Sequence, residues 1–218
     1  MKQLAKLETI VPGLHATSPQ PLPFAPSLTV RAFLLERSRG NILIYSTTEL
    51  ERDLAALEDL GGVSRRYLNH WHEAMFATEL AAPLFVHERE RAAVEEEMHV
   101  RGSFARRHLL DEDFEVIPTP GHTAGATSFL WEAGGHRMLF SGDSIYLDRG
   151  EWVAALLEGS SDRAAYITSL ELIRELDFDL LVPWAASAGE PYHAVASRAE
   201  ARRRIGAIIE RLRRGEDR

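Results

Sequence analysis

The sequence predicts an α/β protein in which two β-sheets pack together with helices on their outer faces. Short apolar runs of strand length recur along the chain, separated by stretches whose leucines and isoleucines follow helical spacing. The order of these elements falls into two similar halves, each with hairpin-like strands followed by helix and strand. The 218 residues, 45% of them hydrophobic, suffice for a large core, and no repeat, low-complexity tract or linker divides them. One domain spanning residues 1–218 is therefore expected.

The elements follow in order. Residues 7–17 form an opening strand interrupted at Pro12-Gly13, with His15 at a half-buried strand position. Pro19, Pro21, Pro23 and Pro26 make residues 18–27 a stiff loop, since proline cannot serve a central strand. Val30–Leu35 and Asn41–Tyr45 read as a hairpin across Arg37–Gly40. Leu50, Leu54, Leu57 and Leu60 predict a helix over 49–60, with Thr48 as N-cap and Gly61-Gly62 as its stop. A short strand, Val63–Leu68, leads into Asn69-His70-Trp71-His72-Glu73-Ala74-Met75. Pro83–His87 is a strand, 88–98 a charged helix or loop, and 99–112 an irregular crossing segment. Phe114–Pro118 is a strand, and Ala126–Glu132 with Met138–Phe140 is a hairpin across Gly134-Gly135. Helix 161–176, strand 179–183, a loop over 184–192 and a closing helix complete the chain. The closing helix carries the stripe Ile205, Ile208, Ile209, Leu212 beside an arginine-rich face that reads as solvated.

Composition excludes several functions. A net charge of −8 argues against nucleic acid or an anionic membrane as the main partner. The absence of cysteine removes disulfides and thiolate chemistry, so any metal must be held by His, Asp, Glu or water. Met1–Lys6 carries no apolar run of signal-peptide type, and no stretch reaches membrane-spanning length. A soluble cytoplasmic protein acting on a small molecule is the expectation; oligomeric state is left open.

Three features stand at strand ends, where open sheets tend to place ligand sites. They are His70-x-His72, Pro120-Gly121-His122-Thr123 and Ser141-Gly142-Asp143. In an extended strand, residues two apart share a side, so His70 and His72 would converge and Glu73 would point away. Glycines beside His122 and Asp143 permit tight turns and close approach. Three imidazoles and one carboxylate amount to a complete ligand set for one divalent metal, zinc first, with iron or manganese as alternatives.

The run Pro118-Thr119-Pro120-Gly121-His122-Thr123-Ala124-Gly125, followed by Leu139-Phe140-Ser141-Gly142-Asp143-Ser144, resembles the metallo-β-lactamase-fold superfamily, nearest in layout to the small glyoxalase II-like hydrolases. The resemblance extends from Leu7 to about Pro183. It implies an αββα four-layer sandwich with a metal cleft at the edge shared by both sheets. It also implies ligand roles for His70, His72, His122 and Asp143, the last being the usual bridging carboxylate. Three positions depart from the pattern. Ala74 and Met75 stand where the family has Asp and His, and Trp184 stands where a late His should follow the last strand. Those groups hold the second metal in the family, so one metal subsite is intact by sequence and the other is stripped. Glu73, Glu190, His193 and, more remotely, His15 are candidate substitutes. Tyr45-Ser46 replaces the Asp that commonly braces a ligand from behind, which implies a loosely held site.

The resemblance implies a mononuclear metal hydrolase of an ester, thioester or lactone, with Asp143 as ligand or general base. Two alternatives accompany it. One is a non-catalytic binding protein of degenerate site. The other is an iron dioxygenase of the persulfide type using His70, His122 and Asp143, although such relatives normally keep the full H-x-H-x-D-H.

Overall fold

The computed structural model describes residues 7–217. Met1–Lys6, which enter the signal-peptide argument, and Arg218 of the basic C-terminal segment lie outside the described residues. The chain begins with β1 (Glu8–Val11) and β2 (Leu14–Ala16), which fold back on each other about Pro12-Gly13. Then come β3 (Gln20–Leu22), β4 (Ala25–Val30), β5 (Phe33–Leu35) and β6 (Ile42–Ile44). Helix α1 (Leu50–Asp59) is followed by β7 (Arg65–Tyr67), a 3-10 turn over Trp71–Phe76, β8 (Leu84–His87), α2 (Arg91–Val94) and β9 (Val100–Phe104). The second half holds β10 (His108–Leu110), β11 (Phe114–Pro118), β12 (Thr127–Ala133), β13 (His136–Gly142), β14 (Tyr146–Asp148) and β15 (Glu151–Val153). It ends with α3 (Arg163–Glu175), β16 (Leu180–Pro183), β17 (Ala185–Ser187), β18 (Ala194–Val195) and α4 (Arg198–Arg213).

One sheet has the order β1-β2-β5-β6-β7-β8-β9. The second runs β10-β11-β12-β13-β16-β18, and a third ladder runs β15-β14-β17-β4-β3. The last two belong to one bent layer. β13 and β16 pair in parallel (Leu139↔Leu181), the chain breaks at Gly142 and Pro183-Trp184, and β14 and β17 resume in parallel (Leu147↔Ala186). Apolar faces fill the gaps between layers. Phe33, Tyr45, Phe129, Phe140 and Val182 pack between the sheets. Leu43, Leu50 and Leu57 seat α1 on the first sheet, and Leu139, Leu170, Ile205 and Ile209 seat α3 and α4 on the second. Helices outside two facing sheets give the αββα sandwich.

Local chemistry explains most boundaries. α1 stops at Gly61 and Gly62, whose φ values of 97° and 72° are open to glycine at no steric cost. Asp162 accepts the N–H groups of Ala164 and Ala165 at 2.9 and 3.0 Å and caps α3, and Ser197 caps α4. Thr48 does not cap α1. Glu49 is the N-cap residue and makes no side-chain capping bond, and the Thr48 N–H is taken by the Gln20 side chain at 2.6 Å.

Two segments expected to be irregular are strands. Within 18–27, β3 carries Pro21 at the outer edge of its ladder, where a missing N–H costs nothing, and pairs only with β4. Within 99–112, β9 and β10 are edge strands of different sheets. Their exposed flanks carry little of the apolar alternation that marks a strand in sequence.

Candidate metal centre

His70 and His72 follow β7 but do not belong to a strand. His70 is extended (φ −157°, ψ 168°) and caps the 3-10 turn that contains His72. The two rings therefore converge through a turn, with centroids 4.9 Å apart, and not through strand alternation. The turn also reverses the expectation for Glu73. Its buried carboxylate folds back to accept the N–H of Asn69 (2.8 Å), of His70 (3.3 Å) and, from the segment after β6, of Ser46 (3.1 Å). One of its oxygens lies 3.3 Å from His70 Nδ1. Glu73 thus braces the histidine turn from behind, the service the resemblance assigns to an Asp at Tyr45-Ser46.

His122 arrives from the second sheet on the turn after β11. Gly121 has φ +147°, and a Cβ there would overlap Tyr166 of α3. The backbone of that turn is pinned by Asp162 N–H donating to Gly121 O (2.8 Å) and Ser161 Oγ donating to His122 O (2.8 Å). His122 Nδ1 donates to Ala155 O at 2.6 Å, which leaves its Nε2 lone pair facing the site. Asp143 stands after β13, where the layer bends. Gly142 (φ +54°) packs so tightly on Asn69 that a Cβ would overlap that side chain. Asn69 Nδ2 donates to Thr127 O, and Asn69 Oδ1 accepts Asp143 N–H at 3.3 Å. Tyr166 Oη donates to Asp143 O at 2.7 Å.

A second buried carboxylate joins the two histidine loops. Glu90 accepts Trp71 N–H at 2.8 Å with one oxygen and Gly125 N–H at 2.5 Å with the other. Burial pushes its pKa up, while the two N–H groups pull it down. Sequence reasoning missed the bracing roles of Glu73, Glu90 and Asn69. Glu73, three residues after the turn-opening His70, has the spacing of a capping acid; Glu90 carries no local signal.

The result is a compact donor set. One ligand atom from each of His70, His72 and His122 lies within 4.8 Å of the others. His72 Nδ1 is 3.2 Å from His122 Nε2, and Asp143 Oδ2 is 3.5 Å from both His70 Nε2 and His122 Nε2. Donors about 2.0–2.1 Å from a tetrahedral zinc sit about 3.4 Å apart, so the spacings of 3.2 and 3.5 Å suit one ion. Both buried ring nitrogens of His70 and the buried Asp143 Oδ1 have no hydrogen-bond partner. Burial depresses His72 and His122 to about 4 and His70 well below its usual value, so the imidazoles are neutral at pH 7, as metal binding requires. Burial lifts the Asp143 carboxyl to about 7. The residues present fit a divalent metal.

None of the other candidates joins this group. His15 pairs with Glu36 at 2.5 Å, Glu190 borders a different pocket beside Ser27 and Asp148, and His193 stacks edge-on against Tyr192. Ala74 is buried, Met75 is exposed, and the Trp184 indole stands edge-on to His70 with centroids 5.4 Å apart. Trp184 Nε1 donates to Ser46 O at 3.1 Å, which fixes the ring there.

The described residues contain no helix long and apolar enough to cross a membrane. Comparison with known proteins agrees with the architecture. No curated protein sequence matches the chain. Among solved structures, a metallo-β-lactamase from Pontibacter korlensis superposes with a TM-score of 0.71 at 16% identity, covering 95% of this chain and 98% of that one. A subclass B3 metallo-β-lactamase of Bradyrhizobium japonicum gives 0.65 at 14% identity, covering 99% and 96%. A metallo-β-lactamase family protein from Thermus thermophilus gives 0.65 at 19% identity, covering 94% and 81%. At such identities the likeness is one of fold. The family model described as the metallo-beta-lactamase superfamily matches residues 53–185, more than half of the sequence, and the chain belongs to that superfamily.

Proposed function

We propose that the protein is a mononuclear metal-dependent hydrolase of a small ester, thioester or lactone, glyoxalase II-like in layout. The observation that carries this reading is the donor set itself: three neutral imidazoles and one carboxylate gathered in one place, with His72–His122 and Asp143–histidine separations of 3.2 and 3.5 Å that suit a single ion. His70, His72 and His122 would hold the metal, with Asp143 as fourth ligand or partner of the reactive water. Zinc fits the ligand types first; iron and manganese suit them too. Such an ion supplies Lewis acidity and lowers the pKa of a coordinated water toward about 7.

The protein's own contribution is orientation and proton handling. The Ala155 carbonyl holds the outward-facing Nδ1 of His122, while Glu73 accepts the His70 backbone N–H and faces His70 Nδ1 at 3.3 Å, so the other nitrogens point inward. Asp143 Oδ1, buried and without a partner, accepts the proton lost when water oxygen bonds to the substrate's carbonyl carbon. It returns that proton to the leaving oxygen or sulfur as the acyl bond breaks. Trp184 fills the space beside His70 and excludes bulk water from that side.

Elemental analysis of purified protein, before and after dialysis against zinc, iron and manganese, tests this. About one metal per chain, lost in His70→Ala/His122→Ala together with ester turnover, is the expected result. A folded protein that takes up no metal overturns it. That outcome is the one a binding protein of degenerate site would give, a reading favoured by Ala74, Met75 and Trp184 standing where the resemblance implies ligands.

A further inference from the structure

A pocket of about 560 Å3 opens over the donor set, within the size range of small-molecule sites. Its walls come from the β3–β4 hairpin, the 3-10 turn, Tyr146 of β14, the Ala154–Leu157 segment and Trp184-Ala185. Six large apolar side chains stand exposed among the described residues, and three of them border this pocket: Phe24 (69% exposed), Met75 (52%) and Leu157 (44%). Scattered single exposures need no explanation, but a cluster round one concavity marks a binding surface. The described residues lining it include no lysine or arginine; the carboxylates present are Asp143 and Asp217. The metal of the donor set would be the cation at this site; a charged group farther out on a ligand's chain would lie against apolar side chains with no cationic partner among the lining residues, which desolvation makes costly.

We propose that the pocket takes uncharged apolar acyl compounds, their chains lying over Phe24, Met75 and Leu157. This rests on the hydrolase reading and names its substrate class: neutral esters, thioesters or lactones with an acyl chain of several carbons. Met75 and Trp184, at two positions where the resemblance implies second-metal ligands, both line the pocket. The space beside the remaining donors serves as binding surface for the acyl chain. The chemistry is a balanced hydrolysis: water adds its hydroxyl to the acyl carbon and its proton to the leaving alkoxide or thiolate.

The test uses the zinc-loaded full chain and two probe series. Calorimetric titration with methyl ketones from propyl to octyl is compared with methyl ketones of equal length whose far end carries a carboxylate, and turnover is followed with p-nitrophenyl esters from acetate to octanoate. Ketone affinity and ester kcat/KM are expected to rise about fourfold per added methylene until the pocket is full. The carboxylate-ended ketones are expected to bind at least tenfold more weakly than their neutral counterparts. Phe24→Ala and Leu157→Ala should each flatten the chain-length dependence, whereas Leu109→Ala, exposed elsewhere, should leave it intact. A flat series, or tighter binding of the carboxylate-ended ketones, overturns the proposal. Chain-length-dependent ketone binding without ester turnover would uphold the apolar pocket and sink the hydrolase reading. Acetate turnover with no chain-length dependence would do the reverse.

Discussion

Glu90→Gln probes the tie between the two histidine loops. Glu90 is 2% exposed and gives one oxygen to Trp71 N–H, between the two histidines of the turn, and the other to Gly125 N–H, just past His122. A carboxamide keeps one acceptor and turns an NH2 donor toward the second N–H. The variant therefore loses one hydrogen bond to a charged acceptor and leaves a backbone donor unpartnered. Together these cost about 2–4 kcal/mol. For a chain of this size, about 3 kcal/mol lowers Tm by roughly 6–12 °C. The loops that Glu90 joins carry all three imidazoles, so zinc affinity should fall about 10- to 100-fold, the usual cost of removing an outer support. Urea unfolding gives the first quantity and competition with a chromophoric chelator the second. Glu95→Gln is the control, since it loses only an exposed pair with Arg91 worth about 0–1 kcal/mol. If Glu90→Gln unfolds within about 0.5 kcal/mol of the parent and binds zinc equally well, the carboxylate is not the tie and the reasoning fails.

Glu73→Gln should weaken zinc binding in the same direction, because one of its three N–H donors loses its acceptor and His70 Nδ1 loses its facing carboxylate; chelator competition reads this out. Gly142→Ala should fail to accumulate as folded protein or lose at least about 3 kcal/mol in urea, since a positive φ and overlap with Asn69 coincide. Arg37, nearly buried, pairs with Asp113 and Asp111 across the two sheets and holds both carboxyls below their ordinary range, chiefly through its hydrogen bonds. A depressed carboxylate contributes stability above its unfolded pKa of about 3.9 and loses it as pH falls through the folded value. Acid titration of Asp113→Asn should therefore show lower stability at pH 7 and a shallower loss below about pH 4 than the parent.

The sequence by itself determined the fold class and the three turns that deliver the donors. Strand and helix periods are local, and Gly121 and Gly142 announce turns that only glycine takes without strain. His70, His72, His122 and Asp143 were legible for the same reason: each sits within a few residues of a strand end or such a turn. Tertiary structure decided the rest. Whether His70 and His72 lay on a strand or a turn depended on Glu73, whose partners include Ser46 twenty-seven residues away. Glu90 acquired its role only when Gly125, thirty-five residues later, came within hydrogen-bond reach. β3, β9 and β10 were hidden because edge strands tolerate proline and exposed flanks that blur the period of two. The pocket's apolar walls come from five separate stretches of chain that share no pattern in sequence. Periodicity records which face of an element is buried; only packing and register decide which distant residues that face will meet.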